Sequence, residues 1–354
     1  MQSKKLKYIM AYLIPVLIVF SIFSENVLCY SSVVVLFIFV PFIELFTKGS
    51  IENFSEIEEE IAKKDPVFDY LIYGLVPLQY IILVCFLYKI NQNDLPLYVK
   101  IGVTTAYGMA CGILGINLAH ELGHRLTKHE RFMSKMLLLT SLYMHFYIEH
   151  NRGHHKNVST DNDPASGKLG ESIYTFYFRS IWGSWVSAWK LEKHKLTKNN
   201  QPFWSWHNEM LRFQFLQLLL IAIVFYLFGL QTLLFFLAGA FMGILLLETV
   251  NYIEHYGLRR NKKENGFEKT QPIHSWNSNH PLGRMLLFEL SRHSDHHYMA
   301  SRKYQVLRHF DESPQLPTGY PGMMLLSLIP PLWFKIMNNK IHLYKTTLAG
   351  KALA

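Results

Sequence analysis

Long blocks of apolar residues alternate with polar segments along this chain. Six blocks approach the roughly 20 residues that a helix needs to cross the hydrocarbon core of a bilayer. The first block is short, but it would cross if it were tilted or flanked by snorkelling side chains. The pattern predicts an all-α integral membrane protein, a single domain over residues 1–354, with six transmembrane helices at about residues 8–23, 30–46, 70–87, 99–119, 213–230 and 232–250.

The polar segments between these blocks differ greatly in length. A tight turn near Gly229 joins the fifth and sixth blocks, whereas residues 120–210 and 251–354 are long, polar and basic. We expect these two stretches to form a histidine-rich helical cap, with a semi-apolar helix over 132–148 and an interfacial stretch over 323–337 that is interrupted at Pro330-Pro331. The mixed-charge segment from 48 to 65 is expected to be an amphipathic or solvated helix.

The distribution of charge predicts the topology. Half of the 354 residues are hydrophobic, 17% are charged, and the formal net charge is +9. Six spans put both termini and both basic stretches on one side, and the positive-inside rule makes that side the cytoplasmic face of the inner membrane. Lys4, Lys5 and Lys7 precede the first block as in a signal peptide, but without a small-residue cleavage site we expect an uncleaved helix. No basic run interleaved with aromatic residues indicates a nucleic-acid partner.

The cysteines give no sign of a redox cofactor. Cys29, Cys85 and Cys111 lie in or near apolar blocks, and no pair has the CxxC spacing. The sequence therefore predicts no zinc ribbon and no iron–sulfur or rubredoxin-type site. Electrons for any redox reaction would have to come from a partner.

Histidines are concentrated in a few short clusters. Positions three or four apart share a helix face, and neutral imidazole is the commonest metal ligand, suited to iron, zinc and copper. Nine imidazoles exceed the capacity of one ion, so two ions are implied. The candidate ligands are His120, His124, His150, His154, His155, His255, His293, His296 and His297. The other eight histidines are expected to be ordinary surface or core side chains: His129, His145, His194, His207, His274, His280, His309 and His342.

Carboxylates are expected around these ligands, because a metal-bound imidazole usually donates its second N–H to a carboxylate or carbonyl group. Glu254 and Asp295 are favoured since each is adjacent to a candidate ligand. Glu248 closes an apolar block, where a carboxylate is costly unless it is paired or functional. The full set is Glu121, Glu149, Asp161, Asp163, Glu248, Glu254 and Asp295.

Several functions are compatible with parts of this pattern. The segment from His120 to His124 reads HELGH, the HExxH pattern of zinc peptidases, in which Glu121 would be the general base. A catalytic zinc needs three protein ligands, however, and not nine. A histidine-rich metal transporter is a further alternative, but it would need polar residues through its spans, and few are present.

Four motifs together carry a family resemblance: HELGHR at 120–125, EHNRGHH at 149–155, NYIEHYGL at 251–258 and RHSDHH at 292–297. The three histidine boxes resemble the membrane fatty acid desaturase and hydroxylase superfamily. NYIEHYGL and RHSDHH narrow the resemblance to the membrane-bound alkane monooxygenases, a branch that includes xylene-type methyl hydroxylases. One departure is Leu290-Ser291 before the last box, where Leu-Gln is common.

The resemblance implies a non-haem diiron enzyme that uses O2 and hydroxylates a terminal methyl group to give a primary alcohol. It implies that the nine clustered histidines bind the irons and carry catalysis. It also implies rubredoxin and its reductase as electron donors. A lipid desaturase or a xylene-type hydroxylase of the same superfamily is the alternative.

An n-alkane offers neither charge nor a hydrogen-bonding group, so an enzyme must recognise it by shape in an apolar tunnel. We expect that tunnel to open between the spans, where the bilayer collects the substrate. Gly108, Gly112, Gly115 and Ala119 lie mainly on one face of the fourth block. Close helix packing is their expected role, and lining of the tunnel is the alternative.

Overall fold

Five apolar helices dominate the structure. The computed structural model describes residues 2–353, and the side chains of residues 5–346. Five helices are long and apolar enough to cross a membrane: Lys5–Phe23, Val27–Phe46, Val67–Ile90, Leu97–Gly123 and Glu209–His255. The first four overlap the first four predicted spans and extend beyond each of them by a few residues. The fifth contains both the fifth and the sixth predicted spans.

The 47-residue helix Glu209–His255 is broken by a corner at Gly229, whose φ of 76° and ψ of 177° are not helical. Beyond this corner, the Gln231 side chain accepts a hydrogen bond from Lys100 at 3.0 Å. The two ends of the helix lie at the other end of the molecule, where Glu209 contacts Lys135 at 2.5 Å and His255 faces the clustered histidines. The helix therefore doubles back on itself, and the turn predicted near Gly229 is confirmed.

The other elements surround the histidine end of these helices. Helices over eight or more residues are Glu56–Lys64, Lys128–Thr140, Ile173–Lys198, Tyr320–Ser327 and Pro330–Leu353. Shorter helices cover Phe146–Glu149, His155–Asn157, Pro281–Leu286 and His293–Tyr298, with 3-10 turns at Met10–Tyr12, Val27–Tyr30, Pro272–His274 and Tyr304–Val306. π-helical turns occur at Val35–Phe39, Cys111–Ile116 and His150–His154. The strands Lys262–Lys263 and Gly266–Phe267 form a small antiparallel pair.

Two short signals in the sequence set helix boundaries, and the first makes the mixed-charge helix shorter than the predicted 48–65. The mixed-charge segment forms the helix Glu56–Lys64, which begins with a capping box in which Ser55 and Glu58 bond each other's backbone N–H groups. In the tail, the helix Tyr320–Ser327 stops and a new one begins at Pro330. Proline is favoured in a first helical turn, where its missing N–H costs nothing.

The small residues of the fourth apolar helix allow close packing against the second half of the Glu209–His255 helix. A Cβ atom on Gly108 would lie 2.7 Å from the Sδ atom of Met242, and one on Gly112 would lie 2.9 Å from a methyl carbon of Leu246. The helices can approach this closely only because those side chains are absent. The expected packing role is confirmed at these two positions.

The segment before the second histidine cluster differs from the expected single helix over 132–148. A helix covers Lys128–Thr140, and the chain then turns through Leu142, whose φ is 54°. Tyr107 of the fourth apolar helix donates to the Thr140 carbonyl at 2.6 Å. The segment therefore runs back alongside the fourth apolar helix as far as Thr140 and reverses direction at Leu142. Part of the predicted cap is packed between the apolar helices, because the apolar side chains of this segment are buried there.

Candidate metal centre

Four separate elements bring the clustered histidines to one place. His120 stands in the last turn of the fourth apolar helix, and His124 follows that helix directly. The second cluster lies in a helical segment that returns from the turn at Leu142, and His255 ends the Glu209–His255 helix. The third cluster forms the short helix His293–Tyr298. All nine predicted histidines lie in two compact groups.

The first group contains five histidines, whose candidate ligand atoms lie within 4.8 Å of one another. The Nε2 atom of His150 lies 3.1 Å from that of His124 and 3.0 Å from that of His155. The Nε2 atom of His296 lies 3.1 Å from that of His155. Its members are His120, His124, His150, His155 and His296. We refer to this set as the five-histidine group.

The second group contains four buried histidines under the same distance limit. The Nε2 atoms of His154 and His297 are 3.2 Å apart, as are those of His255 and His293. The rings of His155 and His297 lie 4.5 Å apart between centroids, so the two groups adjoin. We refer to this second set as the four-histidine group.

The second cluster divides between the groups because of a π-helical turn at His150–His154. In an α-helix, the four-residue spacing of His150 and His154 would place them on one face. The wider turn instead places His150 beside His155, five residues on, and directs His154 to the other group. π-turns inside helices are frequent at functional sites.

The spacing of the nitrogens fits two metal ions. Two imidazole nitrogens at about 2.1 Å from one ion and a right angle apart are separated by about 3.0 Å. Hydrogen bonds alone cannot satisfy these rings, since the Nε2 atoms of His150 and His155 each face two others and carry only one hydrogen or one lone pair. The Nε2 atom of His120 is buried and has no hydrogen-bond partner among the described residues.

The surroundings of the five-histidine group keep its imidazoles neutral. Burial lowers the pKa of His124 to about 3, and burial together with neighbouring imidazoles lowers the pKa of His150, His155 and His296 well below its usual range. A neutral ring keeps the lone pair that a metal needs. The donor set suits iron, zinc or copper, and iron is the ion that the family resemblance implies.

One predicted carboxylate directly orients a histidine of the centre. Asp163 is buried and lies 2.9 Å from the Nδ1 atom of His154, while Ser166 holds the same carboxylate oxygen. A proton on Nδ1 leaves the Nε2 atom of His154 free to face a metal. Burial opposes a charge on His154, but Asp163 outweighs it and raises the pKa of that ring.

Glu254 contacts a different histidine of the four-histidine group. One of its oxygens is 3.0 Å from the Nε2 atom of His293, and the other accepts a hydrogen bond from Tyr320 at 2.7 Å. The side chain is buried and faces an apolar cavity. This carboxylate is therefore beside the four-histidine group.

The other five predicted carboxylates have different partners in the structure. Glu121 accepts from Arg125 at 2.7 Å, and Asp295 binds Arg302 at 2.7 Å. Glu248 accepts from Tyr143 and Ser180. Asp161 is exposed, and Arg259 lies 3.9 Å from its carboxylate. Glu149 is buried within reach of Ser187 at 3.4 Å, and burial with the nearby Asp163 charge raises its pKa to about 8.

Sequence reasoning missed three residues beside the centre. Ser166 and Tyr320 hold the carboxylates of Asp163 and Glu254, and Ser275 lies 3.5 Å from the Nδ1 atom of His255. Serine and tyrosine are common, and these three stand far along the chain from the residues that they contact or in an unpatterned loop. The sequence contains no periodic signal that could have found them.

An apolar cavity leads from the membrane-spanning region to both groups. Its empty volume is about 840 Å³, and its walls reach His120 and His150 of the first group and His293 of the second. Most of the remaining wall is aliphatic or aromatic, and it comes from several apolar helices and from the segment 283–290. These residues include Leu36, Phe37, Ile113, Phe146, Leu246, Leu247, Val250, Leu286, Leu287, Leu290 and Met324. We refer to this cavity as the tunnel.

Comparisons with known proteins agree with this arrangement. Residues 96–327 match the family model described as fatty acid desaturase. The alkane 1-monooxygenase of Acinetobacter baylyi is 40% identical over 309 residues, which are 87% of this chain and 76% of that protein. Alkane 1-monooxygenase 2 of Alcanivorax borkumensis is 45% identical over 254 residues, 72% of this chain and 66% of that protein.

A more distant relative belongs to the xylene-oxidising branch. The xylene/toluene monooxygenase hydroxylase component of Pseudomonas putida is 31% identical over 229 residues, 64% of this chain and 60% of that protein. The alkane 1-monooxygenases match a longer part of the chain at higher identity. The chain therefore belongs to the fatty acid desaturase family and, within it, to the alkane 1-monooxygenases.

Proposed function

We propose that this protein is an alkane 1-monooxygenase that converts the terminal methyl group of an n-alkane into a primary alcohol. One atom of O2 enters a C–H bond and the other leaves as water, with two electrons and two protons consumed. The observation that carries this proposal is the tunnel, whose apolar walls end at the two histidine groups.

The tunnel explains how the substrate is chosen and positioned. An alkane partitions into lipid, so an apolar passage among the spans receives it without a polar recognition group. Because His120, His150 and His293 form part of the wall of this passage, the tip of a chain that enters from the lipid side is proposed to arrive beside the histidine groups. That arrangement favours attack on the terminal carbon and keeps bulk water away from the reacting atoms.

The nine histidines are proposed to hold two non-haem irons, five on one and four on the other. When bound, the irons supply the oxygen activation that amino-acid side chains cannot perform. Asp163 fixes the tautomer of His154, and Glu254 places a carboxyl oxygen beside His293 at the wall of the tunnel. The carboxylates of Glu121, Glu149, Glu248 and Asp295 are proposed to support the surrounding framework through their own partners.

We propose six spans, with both termini and the histidine centre on the cytoplasmic side of the inner membrane. The 47-residue helix would be about 70 Å long if straight, more than twice the hydrocarbon thickness. Its corner at Gly229 and the contact between Gln231 and Lys100 support two antiparallel crossings. Most lysines and arginines of the described residues cluster at the histidine end, as the positive-inside rule requires.

The electrons are proposed to come from rubredoxin, which is reduced by its own reductase. The three cysteines are not paired in disulfides, and no two of them have the CxxC spacing of an iron–sulfur or rubredoxin-type site. A basic surface would attract a small acidic iron protein. Each rubredoxin delivers one electron, so two deliveries complete one turnover.

The test supplies purified protein in lipid nanodiscs with rubredoxin, reductase, O2 and one substrate at a time: octane, dodecane, xylene or a fatty acyl lipid. We expect 1-octanol or 1-dodecanol as the main product. His296→Ala should lose iron and product together, whereas His194→Ala, at an exposed histidine outside both groups, should keep both.

Other products would redirect the assignment. A preference for benzylic alcohol from xylene would place the chain with its Pseudomonas putida relative, and an alkene from the acyl lipid would make it a desaturase. One zinc per chain with peptide cleavage would favour a peptidase. The ion pair between Glu121 and Arg125 opposes that outcome, because it engages the carboxylate that would act as the general base of a peptidase.

A further inference from the structure

The turn that leads into the third histidine cluster has a rare backbone conformation. It connects the helix Pro281–Leu286 to the helix His293–Tyr298, and two consecutive residues within it, Phe288 and Glu289, have φ angles of 50° and 59°. Residues other than glycine seldom adopt this left-handed conformation. It persists only where the surrounding structure holds it in place, and it is concentrated near functional sites. We refer to residues 287–290 as the left-handed turn.

The left-handed turn forms part of the tunnel wall beside the histidines. Leu287 and Leu290 line the tunnel, together with histidines of both groups. Phe288 instead stacks its ring on that of Tyr8, at 6.0 Å between centroids. The backbone of this turn therefore sets how far the two leucines reach into the tunnel.

Glu289 holds the turn without lining the tunnel. Its side chain is buried, and one carboxylate oxygen accepts hydrogen bonds from Lys7 at 2.6 Å and from Tyr8 at 2.9 Å. The other oxygen accepts from the Nε atom of Arg284 at 2.6 Å. Lys7 and Tyr8 belong to the first apolar helix, and Arg284 belongs to the helix that precedes the turn. A buried carboxylate requires such partners, because its charge has been removed from water.

Hydrogen bonds to the backbone complete the support of the turn. Asn117 of the fourth apolar helix donates to the Leu287 carbonyl at 3.3 Å, and the backbone N–H of Arg292 donates to the Glu289 carbonyl at 2.8 Å. Among residues 287–290, only Glu289 has an ionisable side chain. Its carboxylate is therefore the point at which the charged residues outside the tunnel act on the tunnel wall.

We propose that Glu289 is a positioning residue that determines which carbon of the alkane is oxidised. It acts through Leu287 and Leu290, which confine the end of the chain, and it does not touch the substrate. The inference rests on the proposed function and adds the part of the wall that selects C1 over C2. A secondary C–H bond is weaker than a primary one, so an oxidant that reached both carbons would attack C2 preferentially.

A small displacement of the wall is enough to change the product. Adjacent carbons of the chain are about 1.5 Å apart, and a misplacement of about 1 Å can slow a reaction about 100-fold. Either reaction replaces one C–H bond by a C–O–H group and consumes the same O2, electrons and protons. The ratio of 2-octanol to 1-octanol therefore reports where the chain lies, independently of how fast the centre is reduced.

The experiment compares Glu289→Gln with Glu171→Gln in nanodiscs supplied with rubredoxin, reductase, O2 and octane. Glutamine keeps the size of the side chain at 289 but removes the ion pairs with Lys7 and Arg284. Glu171 is the matched control, because it is a carboxylate paired with Arg179 at 2.7 Å and does not line the tunnel. We expect Glu289→Gln to raise the ratio of 2-octanol to 1-octanol at least about tenfold and Glu171→Gln to keep the wild-type ratio.

Further variants separate the proposed role from a general loss of stability. Glu289→Asp keeps the carboxylate and should give a ratio closer to that of wild type than Glu289→Gln does. Lys7→Gln removes one partner of the carboxylate and should raise the ratio in the same direction by less, so it tests the proposal even if Glu289→Gln does not fold. Adding Glu289→Gln to Leu290→Ala should raise the ratio less than Glu289→Gln alone does, because both changes act on one wall.

Binding of Co²⁺ distinguishes the tunnel wall from the metal centre. We expect metal-free Glu289→Gln protein to bind Co²⁺ at both histidine groups with wild-type affinity, as followed by visible absorption. A loss of Co²⁺ affinity in parallel with the change in product ratio would mean that Glu289 positions the third histidine cluster. That result would overturn the proposal.

The remaining outcomes separate this proposal from the proposed function. If wild type makes no octanol of either kind, the proposed function fails, and the selection of C1 fails with it. If wild type makes 1-octanol and neither Glu289→Gln nor Lys7→Gln changes the product ratio, only the role of Glu289 is wrong. An equal change of the ratio in Glu171→Gln would also overturn that role.

Discussion

Asp161 and Asp163 show that the surroundings of a carboxylate decide whether it contacts the histidine centre. The two carboxylates are two positions apart, and the sequence offers no reason to prefer either. Asp163 is buried against His154 at 2.9 Å, whereas the Asp161 side chain is 82% exposed. Only Asp163 can hold the imidazole of His154, a proposed metal ligand, in one tautomer.

We expect Asp163→Asn to weaken metal binding at the four-histidine group by about 10- to 100-fold. The amide can present an N–H to the Nδ1 atom of His154, which would favour a proton on Nε2, where the metal should bind. Titration of the metal-free protein with Co²⁺, followed by its visible absorption, measures the affinity of each site. Asp161→Asn is the matched control and should bind as wild type does; equal affinities for all three proteins would remove Asp163 from the centre.

Residues adjacent to a candidate ligand were poor guides to the second layer of contacts. Asp295 precedes His296 in the chain, yet its carboxylate binds Arg302 and the backbone N–H of Arg308. Glu254 precedes His255, and it instead contacts His293. Neighbouring positions on a helix point in different directions, so the partner of a carboxylate depends on elements that pack from elsewhere in the chain.

At the scale of helices, turn-spaced histidines predicted which residues assemble, but not how they divide. The grouping of His150 with His155 depends on a π-turn, and that turn has no reliable sequence signal. The sequence pattern also did not predict that the helix Lys128–Thr140 runs back beside the fourth apolar helix. It requires a left-handed conformation at Leu142, where a leucine gives no warning.

The fourth apolar helix forms one wall of the tunnel, so the position of a residue along this helix gives its distance from the histidine groups. Ile113 lies in that wall seven residues before His120, a distance of about 10 Å along the axis. Ile113→Trp should therefore shorten the tunnel. We expect the rate with dodecane to fall at least about tenfold relative to hexane, since overfilling an apolar site costs about 1–3 kcal/mol.

Competition between hexane and dodecane, with both alcohols measured by gas chromatography, gives this ratio directly. Ile101→Trp is the control, because Ile101 is exposed on the same helix and does not line the tunnel. An unchanged product ratio in Ile113→Trp, with iron retained, would mean that the alkane takes another path to the histidines.

At the scale of the whole molecule, hydropathy alone predicted the long apolar helices. Backbone N–H and C=O groups in lipid must form their hydrogen bonds within a helix, and this requirement selects long apolar runs. The corner at Gly229 was also predictable, since its φ of 76° and ψ of 177° are accessible essentially only to glycine. The packing of residues 128–145 between the apolar helices was not predictable. That segment is only moderately apolar and is sheltered by its neighbours rather than by its own composition.

The proposed six-span arrangement makes a direct prediction about the two ends of the Glu209–His255 helix. Trp206 and Lys262 are exposed just outside these ends, and Gln231 is exposed beside the corner. In cells that express Trp206→Cys, Lys262→Cys or Gln231→Cys, a membrane-impermeant maleimide should label only the Gln231→Cys protein. After permeabilisation all three should react, while wild type stays unlabelled because Cys29 and Cys111 are buried and Cys85 lies within an apolar helix. If the Trp206→Cys and Lys262→Cys proteins were labelled from opposite sides of the membrane, this helix would cross the membrane only once. The histidine centre and both termini could then not all face the cytoplasm.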